Sequence, residues 1–184
     1  NQQLIKDTNM KHLYTSIYHN PGISRAHLSK QTALSKTTVS TLIDELIERN
    51  FILDGGAGES GTTGRKPNQL YIRRNSHFVV VFNWYENRIY THLVDIAGTS
   101  VFQEACELKQ GEAYVSASRN CFQNSVLQHC APDEILGICV VIAAMIDEKH
   151  GEIYSTTISL PSMEGSQILD SLKEAFPDYP VDLL

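Results

Sequence analysis

From Lys36 onward the apolar residues fall at Val39, Leu42, Ile43, Leu46 and Ile47. That spacing is i, i+3, i+4, i+7, i+8, one stripe of a 3.6-residue period. It predicts an amphipathic helix beginning at Lys36 and capped by Ser35. A second, shorter helix begins at Arg25 and is capped by Ser24. Neither serine has Glu or Gln three residues on, so neither forms a full capping box. A three-residue turn separates the two helices. Upstream, Met10, Leu13 and Ile17, with Tyr14 and Tyr18, predict a supporting helix over 9–19, broken by Asn20-Pro21-Gly22. Downstream, short apolar runs at 51–53 and 70–73 read as two strands. The stretch between them holds Gly55, Gly56, Gly58, Gly61, Gly64 and Pro67, the composition of a long hairpin tip.

This order is that of a winged helix-turn-helix, which places the N-terminus of its second helix in the DNA major groove. The polar face of that helix opens with Lys36, Thr37, Thr38, Ser40 and Thr41, preceded by Ser35. These are short donors and acceptors plus one cation, suited to phosphates and base edges. The methyl groups of Thr37 and Thr38 also suit a thymine methyl. Asp44, Glu45 and Glu48 lie further along and would repel phosphate, so the first two turns should face DNA. Ser24 and Arg25, opening the preceding helix, complete the expected contact set. A helical hairpin packed into a core would show the same stripe, so the helices alone leave both readings open. The hairpin tip tilts the balance. It ends in Gly64-Arg65-Lys66-Pro67, an extended basic segment that fits a narrow minor groove, where Arg65 and Lys66 would meet a strong negative potential. A solvated basic turn is the alternative.

Beyond residue 74 the pattern changes. Apolar or alternating runs predict strands at 78–82, 88–96, 101–108, 135–142, 153–158 and 180–184, with helices over 112–130 and 166–176 and a turn at 147–151. The run 135–142 is so apolar that a strand covered on both faces is expected. The order βββαββαβ is an α/β arrangement. Two domains follow, 1–74 and 75–184.

Charge supports the division. The 184-residue chain carries a net charge of −6. Residues 1–74 hold 10 Lys+Arg against 6 Asp+Glu, net +4; residues 75–184 hold 5 against 15, net −10. A basic head on an acidic body suits a DNA-reading domain carried by one that stays off DNA. The four cysteines, Cys106, Cys121, Cys130 and Cys139, form no CxxC pair and have no His at a zinc spacing, so no metal or cofactor site is read here. Cys139 sits in an apolar run and reads as a buried thiol. No stretch reaches membrane-spanning length, and a cytoplasmic, reduced protein is expected.

The segments ISRAHLSKQTALSKTTVSTLIDELIERNFI and GTTGRKPNQLYI resemble the winged-helix head of xylose- and N-acetylglucosamine-type repressors of the ROK family, which also includes sugar kinases. The resemblance continues through VVVFNWYENRIYTHLVDIAGTSV, ILGICVVIAAMID, GEIYSTTISLP and FPDYPVDLL. It implies an N-terminal winged helix-turn-helix followed by part of an actin-like α/β domain. It implies a transcriptional repressor of sugar-metabolism genes with three kinds of partner: a double-stranded DNA operator, an effector sugar or sugar phosphate, and further copies of itself in a homodimer or higher homo-oligomer. The departures are as informative. Kinases of this fold carry an Asp-x-Gly-x-Thr turn after the first strand; here Phe82-Asn83-Trp84-Tyr85-Glu86-Asn87 has neither the Gly nor the Asp. Enzymatic activity is therefore not expected. Ala143-Ala144-Met145 replaces a loop that usually holds Gly, and Ala33 stands where the inter-helix turn often has Gly. The chain stops before the family's sugar-contacting Asn-Asp segment and zinc-binding cysteines, as a fragment or a shortened relative would. Ser162, Glu164 and Gly165 fall where the sugar pocket begins, and surface loop is the expected state for them. A protein-interaction module built on the winged helix, or a sugar kinase with a fused head, are the alternatives.

Overall fold

The computed structural model describes residues 2–57, 68–147, 152–156 and 168–184. The chain divides into two compact units, Asn1–Ser76 and His77–Leu184.

In the first unit, α1 (Gln2–His19), α2 (Arg25–Thr32) and α3 (Lys36–Glu48) pack on a small antiparallel sheet of order β1-β3-β2, with β1 Ile23–Ser24, β2 Ile52–Ala57 and β3 Asn68–Ile72. Their shared core holds Leu13, Ile17, Leu28, Val39, Ile43, Ile52 and Leu70, all fully buried. The α3 stripe is buried as its spacing predicts, with Ile47 at its margin.

Helix α1 is two turns longer than the hydrophobic pattern indicates. Its N-terminal turns leave Leu4 66% and Ile5 61% exposed, so they carry no buried stripe to read. They are held instead by side-chain bonds one turn apart, Gln3 to Asp7 and Thr8 to the Leu4 carbonyl, and by an ion pair from Lys6 to Glu45 of α3 at 2.7 Å. Tyr18 was expected in the core but is exposed, edge-on to His19. Gly22, at φ +86°, turns the chain into β1. The wing strands also run further into the Gly-rich stretch than the apolar residues suggest, with a register shift between Asp54 and Ala57.

The second unit is built on a five-stranded sheet of order β10-β7-β4-β5-β6. Strands β4 (Phe78–Tyr85), β5 (Arg88–Asp95) and β6 (Ser100–Glu107) form an antiparallel meander; β7 (Ile135–Ile142) and β10 (Val181–Leu183) add parallel to β4. Helices α4 (Tyr114–Asn124) and α5 (Ile168–Ala175) pack on the sheet, over a core that includes Phe82, Trp84, Ile89, Leu93, Tyr114 and Val140. The helix expected over 112–130 ends at Asn124 and gives way to a 3₁₀ turn at Val126–Gln128.

Strand β7 departs from its expected environment. Ile138, Val140 and Ile142 are buried, but Leu136 is 39% exposed and Gly137, Cys139 and Val141 are half-buried. Only one of its faces is fully covered among the described residues. Cys139 is therefore half-buried, although burial still raises its thiol pKa, with Asp182 adding to the effect. The strand β8 (Ala144–Asp147), paired antiparallel with β9 (Glu152–Thr156), was not anticipated. Its four residues are too few to show a period. Ser162, Glu164 and Gly165 lie outside the described residues.

Candidate nucleic-acid interface

Both helix starts are capped as the serines predict. Ser24 Oγ accepts from the His27 amide at 3.2 Å, and Ser35 Oγ accepts from the Thr38 amide at 3.0 Å. Ser35 Oγ also lies 2.8 Å from Thr38 Oγ1, so these two hydroxyls satisfy each other. The first amides of α3 have no carbonyl one turn earlier to bind. They point out of the helix N-terminus, where the helix dipole favours an anion.

Between the helices Ala33 sits in the left-handed region, φ 57° and ψ 14°. This single turn residue redirects the chain so that only three residues separate α2 from α3. Ser29 Oγ donates to the Leu34 carbonyl at 2.7 Å and braces the turn from α2.

The predicted contact residues divide into two sets. Lys36, Thr37 and Thr41 are exposed on α3. Arg25 and Ser40 face each other instead. Arg25 Nη1 donates to Ser40 Oγ at 3.1 Å and to the Ser40 carbonyl at 3.3 Å, and pairs with Asp44 at 2.7 Å. Its Nη2 lies 3.8 Å from Asp54 of β2. One half-buried guanidinium thus ties the start of α2 to the middle of α3 and the base of the wing. Sequence reasoning missed Asp54 altogether, and saw Asp44 only as a charge that repels DNA. The spacing of Arg25 and Asp44 in sequence carries no sign of their contact, which exists only once α2 and α3 cross. Arg65 and Lys66 lie outside the described residues.

The wing is anchored by Tyr71. Its hydroxyl donates to Gln69 Oε1 at 2.7 Å, and its ring lies where a side chain on Gly22 or Gly55 would sit. Asn68 Nδ2 donates to Asp54 Oδ2 at 2.8 Å across the wing strands.

In the second unit, the β4–β5 connection, where the resemblance to ROK kinases implies a phosphate turn, is a tight hairpin. Tyr85 pairs with Arg88, and Glu86 (φ 45°) and Asn87 (φ 62°) form the reversal. Two successive left-handed residues fit a hairpin turn of type I′. Trp84 is fully buried behind it, stacks on Tyr114 with ring centroids 5.1 Å apart, and donates from Nε1 to Ser118 Oγ at 2.9 Å. The Asn87 amide donates to the Tyr114 hydroxyl at 2.9 Å. The Asn87 amide and the space behind the turn are taken up by aromatic side chains.

Residues 6–52 match a family model described as winged helix-turn-helix DNA-binding. The chain is 30% identical over 157 residues to the xylose repressor of Caldicellulosiruptor bescii, covering 83% of this chain and 39% of that protein. It is 26% identical over 160 residues to the xylose repressor of Bacillus subtilis (strain 168), covering 84% and 41%. A crystal structure of a ROK family transcriptional regulator, a homologue of the E. coli MLC protein, superposes with a TM-score of 0.75 at 16% identity, over 97% of this chain and 45% of that one. The chain spans about two fifths of the length of these xylose repressors.

Proposed function

We propose that this chain, a homologue of the xylose repressors with the fold of a ROK family transcriptional regulator, is the DNA-reading part of a sugar-responsive repressor. The observation that carries the reading is the start of α3. A capped helix N-terminus presents Lys36, Thr37 and Thr41 to solvent on a winged helix-turn-helix scaffold. Lys36 meets a backbone phosphate, while Thr37 and Thr41 read base edges. Ser35, Thr38, Ser24, Arg25 and Ser40 hold that surface in place through caps and the Arg25 cluster. Arg65 and Lys66 enter the adjacent minor groove. A second copy of the chain reads the second half-site, as two-fold operators require.

Control then passes through the second unit: a sugar or sugar phosphate that binds one arrangement better than another shifts operator affinity by that difference. The buried Trp84–Tyr114 stack behind the β4–β5 turn argues that this unit does not transfer phosphate. No described helix is long and apolar enough to cross a membrane. The proposed operator target would place its action in the cytoplasm, on the genome.

The test is selection of bound fragments from a genomic library, followed by fluorescence anisotropy on the recovered site over a range of salt. Specific binding whose logarithm falls linearly with the logarithm of salt is expected. Lys36→Ala should lower affinity on every site, whereas Thr37→Ala and Thr41→Ala should change which site is selected. Absence of duplex binding at low salt would instead favour a protein partner for the winged helix.

A further inference from the structure

A second cluster of chemistry lies in the second unit, between β6 and α4. Glu104 and Cys106 alternate along β6 and so share one face of the sheet; Cys121 reaches them from α4. A carboxylate oxygen of Glu104 and the sulfurs of Cys106 and Cys121 all lie within 4.8 Å of one another. Directly across from Glu104 in the β5–β6 register is Thr91, which is fully buried. Thr91 Oγ1 and Glu104 Oε1 are both shut off from solvent, and neither has a hydrogen-bond partner of ordinary geometry. Buried polar atoms are nearly always paired, so two orphans beside two thiols call for a missing partner.

We propose that Glu104, Cys106 and Cys121 form a binding site for a thiophilic divalent cation of the zinc type. The donor set is two sulfurs and one carboxylate oxygen, a combination that suits this ion rather than magnesium or calcium. Tetrahedral zinc with Zn–S bonds of about 2.3 Å holds its sulfurs roughly 3.8 Å apart, a spacing these side chains meet with small adjustment. A cleft of about 200 Å³, lined by Cys106, Asn120, Cys121 and Asn124 among others, adjoins the cluster and gives a fourth ligand, water or a small solute, a way in. Binding releases one proton from each thiol to solvent. The two thiolates and the carboxylate then hold a dication, leaving a net charge of −1 at the site. Thr91, opposite the carboxylate, is the positioning residue that would orient it. The site would staple the edge strand β6 to α4 and so couple the sheet edge to the helix.

Cobalt(II) tests this directly, because thiolate ligation gives a sulfur-to-metal charge-transfer band and tetrahedral geometry gives visible d–d bands. The full chain, reduced and stripped of metal, is titrated with cobalt(II) alone. One ion per chain with both sets of bands, displaced by zinc, is expected. Cys106→Ser and Cys121→Ser should each abolish the charge-transfer intensity or halve it. Glu104→Gln should weaken binding tenfold or more, whereas Cys130→Ser and Cys139→Ser should leave the spectrum unchanged. Trp84 fluorescence checks that each variant is folded; should Cys121→Ser unfold the chain, the half-buried Cys106→Ser carries the test. The proposal is overturned if no charge-transfer band appears, or if the band keeps its full intensity in Cys106→Ser. It is overturned equally if thiol counting and mass show Cys106 and Cys121 joined as a disulfide that takes up no metal.

Discussion

The guanidinium of Arg25 lies 2.7 Å from the carboxylate of Asp44, joining the first residue of α2 to the third turn of α3. A cation at a helix N-terminus opposes the helix dipole. Here Asp44, Asp54 and the Ser40 hydroxyl surround it and offset that cost. The same contact neutralises Asp44, the acidic residue of α3 nearest the proposed DNA-facing turns.

Arg25→Ala should therefore act through the scaffold. Asp44 is 64% exposed, so solvent screens the pair and about 1 kcal/mol of stability is at stake, including the bond to Ser40. DNA affinity should fall because α3 is less firmly held, with the salt dependence unchanged. Lys36→Ala should instead reduce the slope of log affinity against log salt by about 0.9, the loss of one phosphate contact. Anisotropy titrations at several salt concentrations separate the two. An equal drop in slope for Arg25→Ala would mean that Arg25 leaves Asp44 to bind phosphate.

Ala33→Gly should stabilise the head. Ala33 holds φ 57°, a conformation that costs an L-residue about 1–2 kcal/mol. Glycine adopts it freely but brings roughly 0.5–1 kcal/mol of added backbone entropy in the unfolded chain. The balance favours the glycine by about 0.5–1 kcal/mol. Thermal melts of the two proteins measure it, and a lower melting temperature for the glycine variant would show that the turn is not under strain.

Gly55→Ala should loosen the wing. A Cβ there would sit 2.8 Å from Tyr71 Cε2 and 3.3 Å from the Gln69 carbonyl oxygen. The ring must swing away, which breaks its hydroxyl bond to Gln69 and its packing on Gly22. A loss of about 1–3 kcal/mol is expected, in line with other cases of overpacking. In a Tyr71→Ala background the clash has no partner and the same substitution should cost much less. A double-mutant cycle in urea gives the coupling directly; additive losses would show that Tyr71 is not what the methyl group meets.

The sequence made some of this legible and hid the rest for identifiable reasons. The α3 stripe could be read because one face of that helix is wholly buried, and the caps could be read because a serine hydroxyl acts on an amide three residues away. Both are local. The first two turns of α1 show no stripe because solvent surrounds them, and β8 is too short for a period. Arg25 looked like a free cation because Asp44 and Asp54 reach it only through tertiary contact. Glu104, Cys106 and Cys121 had no motif spacing, since the β5–β6 register and the placement of α4 bring them together. Local chemistry was visible in the sequence, whereas pairings made by the fold were not.

Trp84 gives a last prediction. It is the chain's one tryptophan, fully buried in the second unit, with its indole N–H on the buried hydroxyl of Ser118. Tryptophan fluorescence should thus be blue-shifted in the native protein and report on the second unit. Denaturation followed by that signal should not register changes confined to the head: Ala33→Gly and Gly55→Ala should move the far-ultraviolet dichroism transition while the fluorescence midpoint stays in place. Trp84→Phe should cost about 2–4 kcal/mol, from the unpaired Ser118 hydroxyl together with lost ring volume. Adding Ser118→Ala should recover the hydroxyl share of that loss, since removing both partners leaves no orphan. If it recovers nothing, the Trp84–Ser118 bond contributes little, and packing against Tyr114 alone holds the aromatic pair behind the β4–β5 turn.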